Sequence, residues 1–332
     1  MAAITRLPGD QARPVRRPAS VAPDSITNLA TDFYVSLRAR NKAKRTIETY
    51  AEAVDQLDQF LASKGMPRTV SAIRREHIEA FLDYLLNEKI DERNGRRLKP
   101  ATAKNRHASM QAFFRWLVAE GELKRSPMAT MQPPKVDETL TPVLTEDELR
   151  RLLKACDGSG FRERRDMAIV RLLIDCGLRR AELCGLTVDD VSVADSFVTV
   201  QRGKGGKARA VPIGDKTAQA LTRYLRARRV HRLASLPNLW LGKGGAVTPS
   251  GIAQVIRDRG MSVIPPIDRV KLHPHALRHA WAHYFRMADG SETDLMTLAG
   301  WSSPAMLRRY GASAAVARAF ATHRRIGVGD RL

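Results

Sequence analysis

Between Gln201 and Ser250 the chain has one acidic residue, Asp215, against eleven lysines and arginines, whereas residues 51 to 200 carry the two signs in equal numbers. That local shortage of acid marks a built basic surface. With a formal charge of +21 over 332 residues, the expected partner is a polyanion, nucleic acid ahead of an anionic membrane surface. Long apolar runs are also missing. None approaches the roughly 20 residues of a membrane span. Residues 1 to 24 mix Arg13, Arg16 and Arg17 with Pro14, Pro18 and Pro23 and hold no stretch that would serve as a signal sequence. Cysteine is scarce, and Cys156, Cys176 and Cys184 show no metal-binding spacing. A disulfide framework is therefore excluded, and free thiols in a reducing cytoplasm are expected.

The length suits two domains. Residues 1–24 read as a disordered basic tail. From 25 to 130 apolar residues recur at helical spacing: a first helix over Ile26 to Arg40, a second over Thr46 to Ser63, a third through Ile78, Phe81, Leu82 and Leu85, and a fourth after Pro100. This is an all-helical bundle. Lys42, Lys44, Arg45 and Thr46 cluster at one helix start, and Lys99, Thr102, Lys104 and Arg106 at another. Cations at helix N-termini suit phosphate, so these eight are expected to touch a nucleic-acid backbone. Residues 131–143, with Pro133, Pro134 and Pro142, form a linker.

The second domain, 144–332, opens on a capping box, Thr145 with Glu148. A largely apolar helix from Arg164 to Cys176 should be its buried spine. After Leu186 the period shifts to about two: Phe197 to Gln201 and Arg209 to Ile213 flank Gly203-Lys204-Gly205-Gly206-Lys207, which predicts a hairpin with lysine at its tip. A phosphate loop of the Gly-rich kind is disfavoured, because a strand follows where a helix is needed. A basic helix from Lys216 to Arg232 presents Arg223, Arg226 and Arg229. Pro274 suits the first turn of another helix, placing His275 and Arg278 on one face while Leu277, Trp281 and Tyr284 line the other. That working face carries donors for a phosphate or carboxylate oxygen. Trp301 and Tyr310 follow, and Ser313 to Arg325 reads as a short helix.

Arg179, Lys204, His275, Arg278, Trp301 and Tyr310 stand in an order that resembles the tyrosine recombinases, the group of phage integrases, Xer proteins and Cre. The resemblance runs from about Ser25 to the C-terminus. It rests on Cys-Gly-Leu-Arg-Arg-Ala-Glu-Leu at 176–183, Gly-Lys-Gly-Gly-Lys at 203–207, His-Ala-Leu-Arg-His at 275–279, and Leu-Ala-Gly-Trp leading to Tyr310. It implies a SAM-like helical core-binding domain and a mainly helical, mixed α+β catalytic domain with a small antiparallel sheet, clamped on a specific double-stranded DNA site.

The implied roles follow residue by residue. Arg179 and Arg278 would bind the non-bridging oxygens of the scissile phosphate, with Glu182 holding Arg179 or its neighbours in place. Tyr310 would attack to give a 3′-phosphotyrosine, and Lys204 would protonate the departing 5′-oxygen. His275 would assist proton transfer or donate to the phosphate. Trp301, standing where many relatives carry His, would only donate and position. Lys207, Arg223 and Arg226 would contact DNA, and Arg308 and Arg309, just before Tyr310, would contact the DNA backbone or lower the pKa of the nucleophile. No metal, cofactor or ATP is implied.

The expected enzyme is a site-specific recombinase or integrase, a homotetramer on two duplexes that binds each site as monomer or dimer beforehand, with the segment from Ser313 docking on a neighbouring protomer. It would be cytoplasmic and nucleoid-associated. The alternatives are a type IB-like topoisomerase and a non-catalytic DNA-binding protein. His273, His279 and Trp281 read as structural.

Overall fold

Ser25 accepts a hydrogen bond from the Asn28 amide and so starts α1, Ile26–Ala39. α2 spans Lys44–Ser63, and α3, Arg75–Asp83, runs on into one wider turn at Tyr84–Glu88. A two-residue hairpin, β1 (Ile90–Asp91) against β2 (Arg96–Arg97), precedes α4, Pro100–Ala119. Pro100 sits in the first turn of α4, where its missing N–H has no intrahelical partner to lose. The apolar stripes of these helices meet around Phe33, Leu57, Phe81, Phe113 and Leu117, all buried. In the computed structural model they belong to one of two units, residues 1–138 and 139–332. The structure describes residues 23–91, 95–137, 142–201, 208–301 and 303–327, with several side chains of the last helix, 308–313 among them, outside that description.

In the second unit the capping box forms as the spacing indicated: Thr145 accepts from the Glu148 amide at 3.2 Å, and Glu148 accepts from the Thr145 amide at 2.8 Å. They start α5, Glu146–Lys154. α6, Phe161–Cys176, lies at the centre of the core, with Ala168, Ile169, Val170, Leu172 and Leu173 fully buried. The short α7, Arg180–Gly185, follows. The expected hairpin is part of a three-stranded antiparallel sheet in the order β3 (Val191–Ser192), β4 (Phe197–Val200), β5 (Arg209–Pro212), with Val198 opposite Val211. α8, Asp215–Arg229, packs on α6. α9, Pro249–Met261, capped by Thr248, has no counterpart in the sequence reading.

Then come α10 (Pro274–Met287, capped by His273), α11 (Glu292–Ala299, capped by Ser291) and α12 (Pro304–Ile326). α10 packs between α6 and α12. The separate helix read from Ser313 is the second half of α12. Alanine-rich sequence from Ala312 onward has high helix propensity and carries the helix through Gly311. That half packs within its own chain: Ala314 is fully buried, and Arg318 donates to the Arg286 carbonyl at 3.1 Å. Ala315, Ala319 and Phe320 are exposed, Phe320 to 63%. No helix among the described residues is long and apolar enough to cross a membrane.

Candidate active site

Gly177 ends α6 in the left-handed region, φ +55°. Its Cα is pressed against the indole of Trp281, so only a residue without a Cβ fits there. The turn brings Arg179 to the N-cap of α7. There its amide donates to Glu182 Oε2 at 2.9 Å and its guanidinium Nη1 to Glu182 Oε1 at 2.7 Å. Glu182 is 3% exposed at its side chain, against 26% for Arg179. One turn into α10, Arg278 is buried to 1% exposure and donates to the carbonyls of Gly177 and, at 2.7 Å, Ala299. Its guanidinium carbon stands 5.3 Å from the ring centroid of Trp301, within cation–π range.

The last turn of α11 ties these groups together. Helix ends leave carbonyls without intrahelical donors, and the aligned peptide dipoles make that end negative. Three consecutive carbonyls here each receive an arginine. Arg209 Nε donates to Leu298 at 2.9 Å, Arg278 Nη2 to Ala299 at 2.7 Å, and Arg179 Nη2 to Gly300 at 3.0 Å. Gly300 closes the helix at φ +62°, in the conformation glycine adopts most readily. Arg209 also forks onto Glu182, Nη1 to Oε1 at 3.1 Å and Nη2 to Oε2 at 2.8 Å. Two of these guanidiniums, those of Arg209 and Arg179, thus share one carboxylate, and positive charge is left in excess. Burial acts to raise the Glu182 carboxyl, but the hydrogen bonds from Arg209 and Arg179 outweigh it and hold it below the usual range.

Four of the expected catalytic positions are therefore described as side chains, and the structure brings Arg179, Arg278 and Trp301 together. His275, exposed one turn before Arg278, stands edge-on to His279 with ring centroids 5.0 Å apart. His273 caps α10, accepting from the Ala276 amide at 3.0 Å, and Trp281 packs in the core, both in the structural roles read for them. Lys204 and Lys207 lie outside the described residues, and so do the side chains of Arg308, Arg309 and Tyr310. The backbone of Tyr310 belongs to α12.

Among the expected DNA contacts, Lys42, Lys44, Arg45, Lys99 and Lys104 are exposed and Thr46 and Thr102 half-buried, at the starts of α2 and α4. Arg106 departs from the expectation. It is 8% exposed and turned inward, donating to Gln56 at 3.1 Å and paired with Glu52, because its position on α4 falls on the buried stripe beside His107 and Met110. It holds α4 to α2 and is not a surface cation. Arg223 and Arg226 are exposed. Arg223 lines a cavity of about 310 Å³ with Arg164, Arg171 and Lys216, all on α6 and α8.

Sequence reading overlooked Arg209. The signal was there: in β5 it shares a face with Val211, which is buried. An arginine on the inward face of a strand requires a carboxylate or carbonyls to meet it.

Residues 142–316 match the phage integrase family, and residues 29–121 match the phage integrase N-terminal SAM-like domain. The chain is 30% identical over 291 residues to the tyrosine recombinase XerD of Caulobacter vibrioides, covering 84% of this chain and 90% of that one. It is 32% identical over 276 residues to the tyrosine recombinase XerC of Chromobacterium violaceum, covering 79% and 90%. In fold it resembles the XerH site-specific recombinase, solved bound to its palindromic difH substrate in a post-cleavage complex, with a TM-score of 0.69 and 19% identity over 90% of this chain and 84% of that one. An arginine-capped helix end beside Trp301, in a chain whose two halves match the two parts of one enzyme family, places this protein in the phage integrase family of tyrosine recombinases, the enzymes of site-specific recombination.

Proposed function

We propose that this protein cuts and rejoins double-stranded DNA at specific sites through a 3′-phosphotyrosine on Tyr310. The observation that carries the reading is the convergence of Arg179 and Arg278 on one helix end, each anchored through part of its guanidinium. A guanidinium has five N–H donors in a rigid fork. Arg179 spends two of its side-chain donors on Glu182 and Gly300. The others, on a partly exposed side chain, are available to the non-bridging oxygens of a phosphate. Two such cations stabilise the charge that builds as the phosphorus becomes pentavalent. Glu182 positions Arg179 from behind.

Tyr310 supplies the attacking oxygen, and the covalent ester conserves the phosphodiester energy, so strands rejoin without ATP. Lys204 protonates the leaving 5′-oxygen. His275 donates to the phosphate or passes a proton, and Trp301 positions. The arginines supply the positive charge that a metal provides in other phosphoryl-transfer sites. Lys42, Lys44, Arg45, Thr46, Lys99, Thr102 and Lys104 of the first unit track the DNA backbone, joined by Lys207, Arg223 and Arg226 of the second. Exchange between two duplexes needs four strands cut by four nucleophiles, hence a tetramer, acting on nucleoid DNA. The test is covalent trapping on host DNA fragments carrying a nick beside the cut site. Wild type should form a denaturant-stable adduct at a defined sequence and Tyr310→Phe none, with DNA binding intact. An adduct spread evenly over all sequences would instead identify a topoisomerase.

A further inference from the structure

We infer that Arg209 is a positioning residue for strand cleavage, neutralising Glu182 so that the charge of Arg179 stays available to the scissile phosphate. The inference rests on the recombinase reading above. Its basis is how Glu182 is shared. Arg209 takes both carboxylate oxygens in a parallel fork, at 3.1 and 2.8 Å, the geometry of a full guanidinium–carboxylate pair. Arg179 then makes a single side-chain bond to the same carboxylate, at 2.7 Å. The exposures run the same way: 3% for Glu182, 13% for Arg209 and 26% for Arg179 at the side chain. The inner pair is buried and the outer guanidinium faces out.

The charge of the three groups decides the consequence. Two guanidiniums and one carboxylate leave one positive charge, carried on Arg179. Without Arg209, the buried carboxylate would have Arg179 as its one remaining cationic partner among the described residues, and the fork that closes on Glu182 would be the fork that must close on phosphate. Arg209 also fixes the relation between parts of the site. Its Nε holds the Leu298 carbonyl at 2.9 Å, so one side chain joins β5 to the end of α11 and to Glu182 on α7. Gly300 is fitted to this arrangement: a Cβ there would stand 3.1 Å from Arg209 Nη1.

The test compares single-turnover adduct formation by wild type, Arg209→Gln, Arg209→Lys and the double variant Glu182→Gln/Arg209→Gln, all at saturating protein on a nicked site. Arg209→Gln should cleave on the order of a hundredfold more slowly, with DNA affinity little changed. The double variant restores the single positive charge and should cleave about tenfold faster than Arg209→Gln. Arg209→Lys keeps the charge and should stay closer to wild type than to Arg209→Gln. A residue that merely held the fold would show rates that follow stability, so the comparison is made at a temperature where both variants are fully folded by their melting curves. A double variant no faster than Arg209→Gln therefore overturns the inference, as does a wild-type rate in Arg209→Gln. If Arg209→Gln melts below the assay temperature, the double variant decides alone: cleavage within about tenfold of wild type supports the role, and slower cleavage overturns it. Wild type that forms no Tyr310-dependent adduct removes the recombinase reading, and this inference with it.

Discussion

Gly177→Ala tests whether the turn that aims Arg179 depends on a residue without a side chain. The φ of +55° lies in the left-handed region, which costs a Cβ-bearing residue about 1–2 kcal/mol. The added methyl would also stand 2.9 Å from Cγ of Trp281 and closer still to Cδ2 and Cε3. Trp281 cannot swing away freely: it is 8% exposed and clustered with Leu295, Ala299 and Trp301. Overpacking a filled core adds about 1–3 kcal/mol. The variant should therefore lose about 2–5 kcal/mol in urea denaturation, a large part of the 5–15 kcal/mol or so that holds a typical domain folded. Gly185→Ala is the matched control, since its position is exposed, has no left-handed φ, and has no atom within 4 Å of the new methyl. It should be neutral or gain up to about 1 kcal/mol. In a Trp281→Ala background the steric part vanishes, and Gly177→Ala should cost only the backbone strain of about 1–2 kcal/mol. An undiminished loss there, or a loss below about 1 kcal/mol in the native background, would refute the reasoning.

Lys204→Ala should cleave ordinary DNA very slowly yet cut a substrate with sulfur at the 5′-bridging position at close to the wild-type rate, because a thiolate leaves without a proton. Equal impairment on both substrates would move the acid role elsewhere. Arg179→Ala should not be rescued by that sulfur, since its defect lies in charge on the non-bridging oxygens. DNA affinity should fall on the order of a thousandfold between 50 and 200 mM salt if six or more phosphates are contacted. Reversing Arg223 and Arg226 to Glu should flatten that slope, and an unchanged slope would assign both to a solvated face. Deleting the chain from Ala314 onward should lower the melting temperature even of the monomer, because that half of α12 packs on α10. An unchanged monomer melting temperature would leave docking on a neighbour as the segment's main role.

The helices of the first unit were legible because each signal is local: an apolar stripe, a cap three residues away, a proline in the first turn. Arg106 shows the limit. As a cation two turns into α4 it resembles Lys104, and only the phase of the stripe, which buries His107 and Met110 beside it, turns it inward. The sheet was half legible. β4 and β5 alternate clearly, while β3 is two residues long, too short for any period to register. α9 was missed because its apolar positions, Ile252, Val255 and Ile256, are few and follow a glycine-rich stretch.

The active site divides along the same line. Arg179, Glu182, Arg278 and Trp301 are marked by side-chain identity and order, so the sequence carries them. What holds the two arginines is mostly backbone: the carbonyls of Gly177, Ala299 and Gly300, whose chemistry is the same under any side chain and leaves no motif. Arg209 belongs to both classes, a visible side chain whose partners come together only in space. The identity of the capping element matters for the chemistry. The carbonyls that fix the arginines end α11 immediately before Trp301, and α12, which carries Tyr310, begins at Pro304. On the function proposed above, the segment that holds the phosphate-binding arginines is thus the one that leads into the helix of Tyr310. A shift of that segment would draw with it the arginines bound to its three carbonyls.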